Sequence, residues 1–248
     1  MATQTIHFVT GANRGLGKAL AAHYLAQPNS FVAAGVRDPS HKTALSLKEL
    51  PTGENSTLVL VKVESVSDTD AKEAVEVLQK EHGIDHFDVV VSSAGICRLA
   101  RLDEIDIADL LDHVNVNAIG VVRLWQATHT LLKKAKEPKF VVMGSMAGSI
   151  GHMQWFPFPQ GAYASSKAMT NSLMRKIQME NPWVTALTIH PGWAQTDMGN
   201  DGAQAVGLEK AEVPVEDSIN GMISIINKAT PETIFGPFLD YTGKEHLW

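Results

Sequence analysis

Thr10-Gly11-Ala12-Asn13-Arg14-Gly15-Leu16-Gly17 stands between an apolar run, Ile6 to Thr10, and an alanine-rich stretch, Gly17 to Ala26. Glycines placed there let the chain turn tightly. They also let backbone N–H groups approach a pyrophosphate at the positive end of a helix. The spacing is G-x-x-x-G-x-G, not the commoner G-x-G-x-x-G. By itself such a loop could be a plain tight turn. Its place between a β-rich run and a helix favours nucleotide binding, with Gly11, Asn13, Arg14, Gly15, Leu16 and Gly17 as the contact residues.

Outward from this loop, short apolar runs alternate with helix-like stretches. Ile6 to Thr10, Phe31 to Ala34, Leu58 to Val63, Phe87 to Val91, Phe140 to Met143 and Val184 to Ile189 are continuous runs rich in Val, Ile and Phe. Such runs suit parallel strands buried on both faces. Helices are expected over Gly17 to Ala26, Thr69 to Glu81, Ile107 to Lys134 and Ala162 to Glu180. In the second of these Ala71, Val75 and Leu78 fall at helical spacing. The alternation predicts an α/β fold, a doubly wound parallel sheet of Rossmann type with helices on both faces. Ligands bind such sheets at the carboxyl ends of the strands.

The residues just after the strands fit that rule. The second strand run leads to Gly35-Val36-Arg37-Asp38. An acid there would bind the ribose 2′-hydroxyl of NAD, whereas an arginine accommodates the 2′-phosphate of NADP. Arg37 comes first, and Arg14 could add a second positive charge, so NADP(H) is the expected cofactor. A one-residue slip would put Asp38 in the NAD position, and a solvated Arg37–Asp38 pair is the bland alternative. Tyr163-Ala164-Ser165-Ser166-Lys167 places a phenol and an ammonium on one helix face. A lysine cation there would stabilise phenolate and lower the tyrosine's pKa. The same spacing also occurs on ordinary amphipathic surface helices. Ser145 closes the run Phe140 to Met143-Gly144, where its hydroxyl could orient a carbonyl or simply begin a loop.

Composition sets the outer bounds. The chain has 248 residues, 44% hydrophobic, with 21 basic and 27 acidic side chains and a net charge of -6. That balance argues against nucleic acid as a partner. One cysteine, Cys97, rules out an internal disulfide framework and a cysteine-cluster metal site. No apolar run is long enough for a membrane helix, and Met1 to His7 has no leader-like pattern. A soluble, cytoplasmic protein with one domain over 1–248 is expected. The ten histidines form no H-x-x-x-H pair, so no metal is expected.

Taken together, these motifs resemble the short-chain dehydrogenase/reductase family over essentially the whole chain. Thr10-Gly11 with Gly15 and Gly17 matches its cofactor loop, Tyr163 and Lys167 its Y-x-x-x-K, and Ser145 its strand-end serine. Asn117 in Asn117-Ala118-Ile119-Gly120 matches its N-x-x-G, and Pro191-Gly192 its P-G loop after the sixth strand. The resemblance implies that Tyr163 is the general acid in reduction and the base in oxidation. It implies that Lys167 lowers the pKa of Tyr163 and holds the nicotinamide ribose. Ser145 would orient the carbonyl, and Asn117 would anchor a water relay. Ser93, Ala94, Gly95, Pro191, Gly192, Ala194 and Thr196 would complete the cofactor site, with Glu64 near adenine. The substrate would be a small-molecule ketone or aldehyde (or the corresponding alcohol), and a homodimer or homotetramer is the expected assembly. The strand end Gly35 to Pro39, the stretch Pro191 to Met198 and the tail Gly236 to Tyr241 ending at Trp248 look closest to one subgroup. It contains C-factor-like proteins, sniffer-type carbonyl reductases and fungal norsolorinic acid ketoreductase-like enzymes.

The sequence also departs from the family pattern. The N-N-A-G after the fourth strand reads Ser92-Ser93-Ala94-Gly95, and 17 residues separate Ser145 from Tyr163. That segment, with His152, Met153, Trp155, Phe156 and Phe158, would suit a substrate wall for a large aromatic molecule, or else loop packing or an interface. The stretch 193–217 is the expected substrate loop. Within it, Asp201 to Asp217 reads as a mobile lid or a surface loop because of its Gly and Pro. Cys97 reads as a small buried thiol and His190 as a packed strand-end residue. An NADPH-dependent reductase is the first functional reading. A cofactor-binding scaffold without turnover and an imine-type reductase are the alternatives.

Overall fold

The computed structural model describes residues 4–233 and 238–248, so Met1 to Thr3 and the Gly236-Pro237 part of the tail signature lie outside the described residues. The chain alternates strand and helix: β1 (Thr5–Thr10), α1 (Gly15–Leu25), β2 (Ser30–Val36), α2 (Lys42–Leu45), β3 (Thr57–Lys62), α3 (Asp70–His82), β4 (Val89–Ser92), α4 (Ile107–Val114) and α5 (Gly120–Leu132). There follow β5 (Lys139–Met143), α6 (Gly161–Glu180), β6 (Thr185–His190), α7 (Asp197–Ala205), α8 (Val215–Lys228), β7 (Phe238–Asp240) and β8 (Glu245–His246). The sheet order is β3-β2-β1-β4-β5-β6-β7-β8. Pairing is parallel from β3 through β7, and β8 returns antiparallel to β7.

Both faces of the sheet are covered, as the continuous apolar runs require. Val9, Val91, Val141 and Leu187 pack against Leu20, Ala21 and Leu25 of α1 and Ile219, Met222 and Ile226 of α8. Phe8, Val90, Phe140 and Ala186 face the other way, onto Val75 and Leu78 of α3, Val121 and Leu124 of α5, and Met174 of α6. Successive strand residues thus serve opposite cores, the two-residue period hidden in the apolar runs. The strand order reverses between β1 and β4, which opens a crevice beyond their carboxyl ends.

Three expectations need correction. The helix expected over Ile107 to Lys134 is divided into α4 and α5 by a wider π-helical turn, Asn115–Ile119. The stretch Asp201 to Asp217 is not all loop: its first residues belong to α7, and α8 starts at Val215. Gly199 and Gly202 are weak helix formers, but Thr196 caps the Gly199 N–H at 3.1 Å and Trp193 Nε1 donates to the Gly199 carbonyl at 3.0 Å. A side chain at Gly199 would run into the Ala194 carbonyl, so glycine is what lets α7 pack on the preceding loop. Finally, the sheet gains β7 and β8, too short to register as apolar runs.

Candidate active site

The glycine loop closes directly on the segment after β4. Gly11 has φ +64°, and a Cβ there would lie 2.8 Å from the Ala94 backbone. Gly17 likewise sits against the Gly11 carbonyl and the Ser93 side chain, and Gly15 against Thr196. Ser93, Ala94 and Thr196 therefore lie against the loop. The first turn of α1 carries no acidic residue, and no side chain caps it. Such a helix start, lined by backbone too close for any Cβ, fits an anionic pyrophosphate. Asn13 is held from the side, its Nδ2 donating to Thr43 Oγ1 at 2.8 Å. Leu16 packs against the α1–α8 core, and Arg14 is exposed.

At the end of β2, Arg37 is exposed and pairs with Glu64 at 3.6 Å. Asp38 is engaged locally instead: its Oδ1 accepts the Ser40 N–H at 2.8 Å and the Ser40 hydroxyl at 2.6 Å. The Ser40 hydroxyl bond is the main reason its pKa lies below the usual carboxylate value. Glu64 and Ser65 line a recess with Thr10, Ser92, Gly120 and Arg123 at the β1–β4 crevice. The recess forms where a nucleotide base is expected.

The candidate catalytic residues come from three elements. Ser145 follows β5, Tyr163 and Lys167 lie on α6, and Asn117 sits in the π turn. The Tyr163 phenol lies next to Ser145, whose hydroxyl favours the charged form of the phenol, and Lys167 Nζ lies 5.7 Å from the Tyr163 ring centre. Lys167 Nζ donates to the Met143 carbonyl at 2.8 Å, which fixes the ammonium at the edge of the sheet. The π turn aims Asn117 inward, where three partners hold it. Its Oδ1 accepts the Ile96 N–H, and its Nδ2 donates to the Ile96 carbonyl and to Ser166 Oγ, each at 2.9 Å. Ser166 in turn donates to the Tyr163 carbonyl at 2.7 Å, and Thr170 donates to the Asn117 carbonyl at 2.9 Å. Gly95 faces Asn117 and Lys167, with its Cβ position 3.2 Å from Asn117 Oδ1 and 3.9 Å from Lys167 Nζ.

Ser166, Thr170 and the Met143 carbonyl were missed as supports. Ser166 had a visible signal, since it lies inside the Tyr163–Lys167 interval. The π turn had none, because a wider turn leaves no mark on apolar periodicity.

Burial governs the protonation states. It pulls the Lys167 ammonium down to about 8, with Cys97 opposing. It raises the Tyr163 phenol above its ordinary value; Cys97 adds to that shift, and the Ser145 hydroxyl opposes it. Here burial of the phenol outweighs any lowering by Lys167, so Tyr163 holds its proton at neutral pH. Cys97 is half-buried, and burial pushes its thiol up to about 11, against the pull of Lys167. It is therefore a neutral thiol, but it stands within electrostatic reach of both catalytic candidates. His190 ends β6 and is brought to about 4 by burial, in keeping with a packed role.

The Pro-Gly loop borders the same edge. Pro191 is anchored by Ser218 Oγ, which donates to its carbonyl at 2.6 Å. Gly192, at φ +74°, packs under the Tyr241 ring. Ala194 bridges to Val213, tying the loop to the approach to α8. Trp193 faces Phe158 of the long segment, ring centres 5.7 Å apart. Among the described residues no helix is long and apolar enough to cross a membrane, and no group of His, Cys, Asp or Glu could hold a metal.

Comparison with known proteins fits this geometry. The short chain dehydrogenase family profile matches residues 5–206. A norsolorinic acid ketoreductase of Aspergillus parasiticus is 38% identical over 247 residues, covering 98% of this chain and 91% of that protein. One from Emericella nidulans is 36% identical over 248 residues, covering 99% and 94%. The NADPH-bound carbonyl reductase from chicken fatty liver superposes with a TM-score of 0.88 at 29% identity, covering 100% of this chain and 96% of that one. With a sheet, a glycine loop and a Ser-Tyr-Lys edge of this kind, the chain belongs to the short-chain dehydrogenase/reductase family.

Proposed function

We propose that this family member is an NADPH-dependent reductase of ketones or aldehydes, with bulky aromatic carbonyl compounds as its substrate class. The observation that carries the reading is the meeting of Ser145, Tyr163 and Lys167 at the sheet edge on which the glycine loop also opens. A nicotinamide bound there supplies the hydride. Arg37 supports the choice of NADPH because its guanidinium is exposed beyond β2 while Asp38 is committed to Ser40. The likeness to an NADPH-bound carbonyl reductase points the same way.

The protein groups divide the remaining work. The glycine loop and the start of α1 bind the phosphates, and Gly95, Pro191 and Ala194 border the nicotinamide end. Ser145 orients the substrate carbonyl, and Tyr163 gives its proton to the oxygen as negative charge develops there. A phenol that burial keeps protonated suits that direction of reaction. Lys167 holds the cofactor ribose, and Asn117 keeps the backbone at Ile96 and the start of α6 in register. Phe158 and Trp193 form an aromatic wall, and Trp155 of the same long segment is exposed. A flat polycyclic ketone matches such a wall, and the relatives named as norsolorinic acid ketoreductases support that class. Exposed Ile107 and Leu111 on α4 support a homodimer or homotetramer joined through the helices that carry Asn117 and Tyr163. A cytoplasmic location completes the reading, and the lone cysteine suits a reducing compartment.

NADPH consumption with a panel of polycyclic aromatic ketones tests it. The wild type should turn over at least one of them, and Tyr163→Phe should lose about a thousandfold in rate while still binding NADPH. Equal rates in the two proteins would remove Tyr163 from the chemistry.

A further inference from the structure

The last residues of the chain reach back to the segment between Ser145 and Tyr163. Ser149 is fully buried there, and its hydroxyl donates to the Leu247 carbonyl at 2.7 Å. The Gly151 N–H donates to the Trp248 carbonyl at 3.1 Å. Gly151 is open enough for this only because it is glycine: a Cβ would lie 2.8 Å from Leu247 Cβ. His152 is bound to the same point, its N–H reaching Ser149 Oγ at 3.2 Å and its Nδ1 lying 3.0 Å from that oxygen.

The tail is itself anchored in the body of the protein. Trp248 stacks on Phe238 of β7 at 5.3 Å, and the Arg175 guanidinium of α6 lies over its ring. His246 pairs with Asp240 at 2.7 Å, and Asp240 also accepts the Thr242 N–H and hydroxyl and the Lys244 N–H, which shapes the β7–β8 turn. The tail thus runs from the sheet edge to the turn Ile150–Trp155, whose far end carries Trp155 toward solvent. At its near end Gly148 lies against the Lys167 backbone, where a Cβ would approach within 2.6 Å. One continuous set of contacts therefore joins the end of the chain, the turn and the catalytic helix.

We propose that Glu245–Trp248 is a positioning strut: it holds the 149–155 turn as a fixed wall and thereby sets the preference for bulky over small carbonyl substrates. This rests on the reading of that segment as the substrate wall. Trp248 and Ser149 are positioning residues, since they act through the turn and need not touch substrate. The two backbone carbonyls are the direct couplings, so the strut should tolerate side-chain changes that keep the Trp248 stack.

The test uses the full chain with NADPH. Three variants are compared with wild type: deletion of Leu247-Trp248, Gly151→Ala as a wedge against Leu247, and Trp248→Phe as the conservative control. Amide hydrogen exchange at residues 149–155 reads the tether without any turnover. The KM and kcat for 2-acetylanthracene and for butanal read its consequence. The expected result is at least tenfold faster exchange of the Gly151 and His152 amides in the deletion and in Gly151→Ala. KM for 2-acetylanthracene should rise about tenfold, with butanal kinetics and NADPH affinity within twofold of wild type and Trp248→Phe near wild type. Unchanged exchange in both the deletion and the wedge would overturn the strut. Faster exchange with no change in KM for either compound would show that the turn is held but is not the substrate wall, and would overturn the specificity claim. Equal loss with both compounds would reduce the tail to a general stabiliser and overturn it as well. Failure of the wild type to reduce either compound would sink the reductase reading, and exchange alone would then decide the tether.

Discussion

The glycine loop and the segment between Ser145 and Tyr163 meet at the same edge of the sheet, but they are held in place by different means. The loop is fixed mainly by close backbone contacts, Gly11 on Ala94 and Gly17 on Gly11, with the Ser93 and Thr196 side chains lying against Gly17 and Gly15. The long segment is fixed by the far end of the sequence, through the Ser149 hydroxyl and the Gly151 N–H on the backbone carbonyls of Leu247 and Trp248. A binding surface for an invariant ligand can be built from local glycines. The proposed substrate wall is held instead by residues about 100 positions apart, so it is free to change without disturbing the first.

Glycine replacements offer the strongest way to break this comparison. Gly11→Ala forces a Cβ to within 2.8 Å of Ala94 in a backbone conformation with φ +64°. NADPH affinity should fall more than tenfold, read by titration of cofactor fluorescence. Gly207 has a similar φ of +83° but nothing within 4 Å, in the loop after α7. Gly207→Ala should cost only the left-handed penalty of about 1–2 kcal/mol, seen as a lower Tm with NADPH affinity unchanged. Similar losses of NADPH affinity in the two variants would mean that backbone strain, not the close approach to Ala94, is what the loop needs.

The end of β2 sharpens the cofactor half. A hydrogen bond to a charged group contributes about 1.5–3 kcal/mol, so Arg37→Ala should lower the preference for NADPH over NADH by about tenfold to a hundredfold. Asp38→Asn should change that preference by less than about threefold, because its carboxylate already serves Ser40. The ratio of kcat/KM for the two cofactors reads both. A large gain in NADPH preference on Asp38→Asn would show that Asp38 faces the ribose.

The smallest effect is one of pH. The Lys167 ammonium titrates at about 8, below its ordinary 10.5. Since kcat/KM for NADPH reports the free enzyme, it should fall as pH rises through about 8. Between pH 8 and 10.5 the unfolded chain binds more protons at this lysine than the folded one, so this group's contribution to stability rises over the same window. A falling rate with no matching loss of stability would therefore place the titration in the site. A flat profile to pH 10 would mean that the charge of Lys167 is not needed.

The same contrast explains what could be read from sequence. The glycine loop and the Tyr163–Lys167 pair show in local spacing, and Arg37 and Ser145 by their place after strand runs, whereas Asn117 shows only through the family resemblance. The strand runs show as apolar stretches even where, as in β3, they are largely half-buried. The helix α8 carried a readable signal in Val215, Ile219, Met222, Ile223 and Ile226 at helical spacing, but the acids and Pro214 before it suggested a loop. The π turn, the helical state of Gly199 and Gly202, and the return of Trp248 onto Gly151 left no local trace. Each depends on a partner elsewhere: Thr170 for Asn117, Trp193 for Gly199, and Ser149 with Gly151 for the tail.

Transfer of label tests the central claim most directly. The enzyme, with NADPH deuterated at the reactive C4 position, would be incubated with a polycyclic aromatic ketone and the alcohol product analysed by mass spectrometry. The account predicts one deuterium on the carbinol carbon with wild type, and almost no product with Tyr163→Phe although that variant binds NADPH equally well. Tight NADPH binding by the wild type with no deuterium delivered to any aromatic ketone or aldehyde would contradict it.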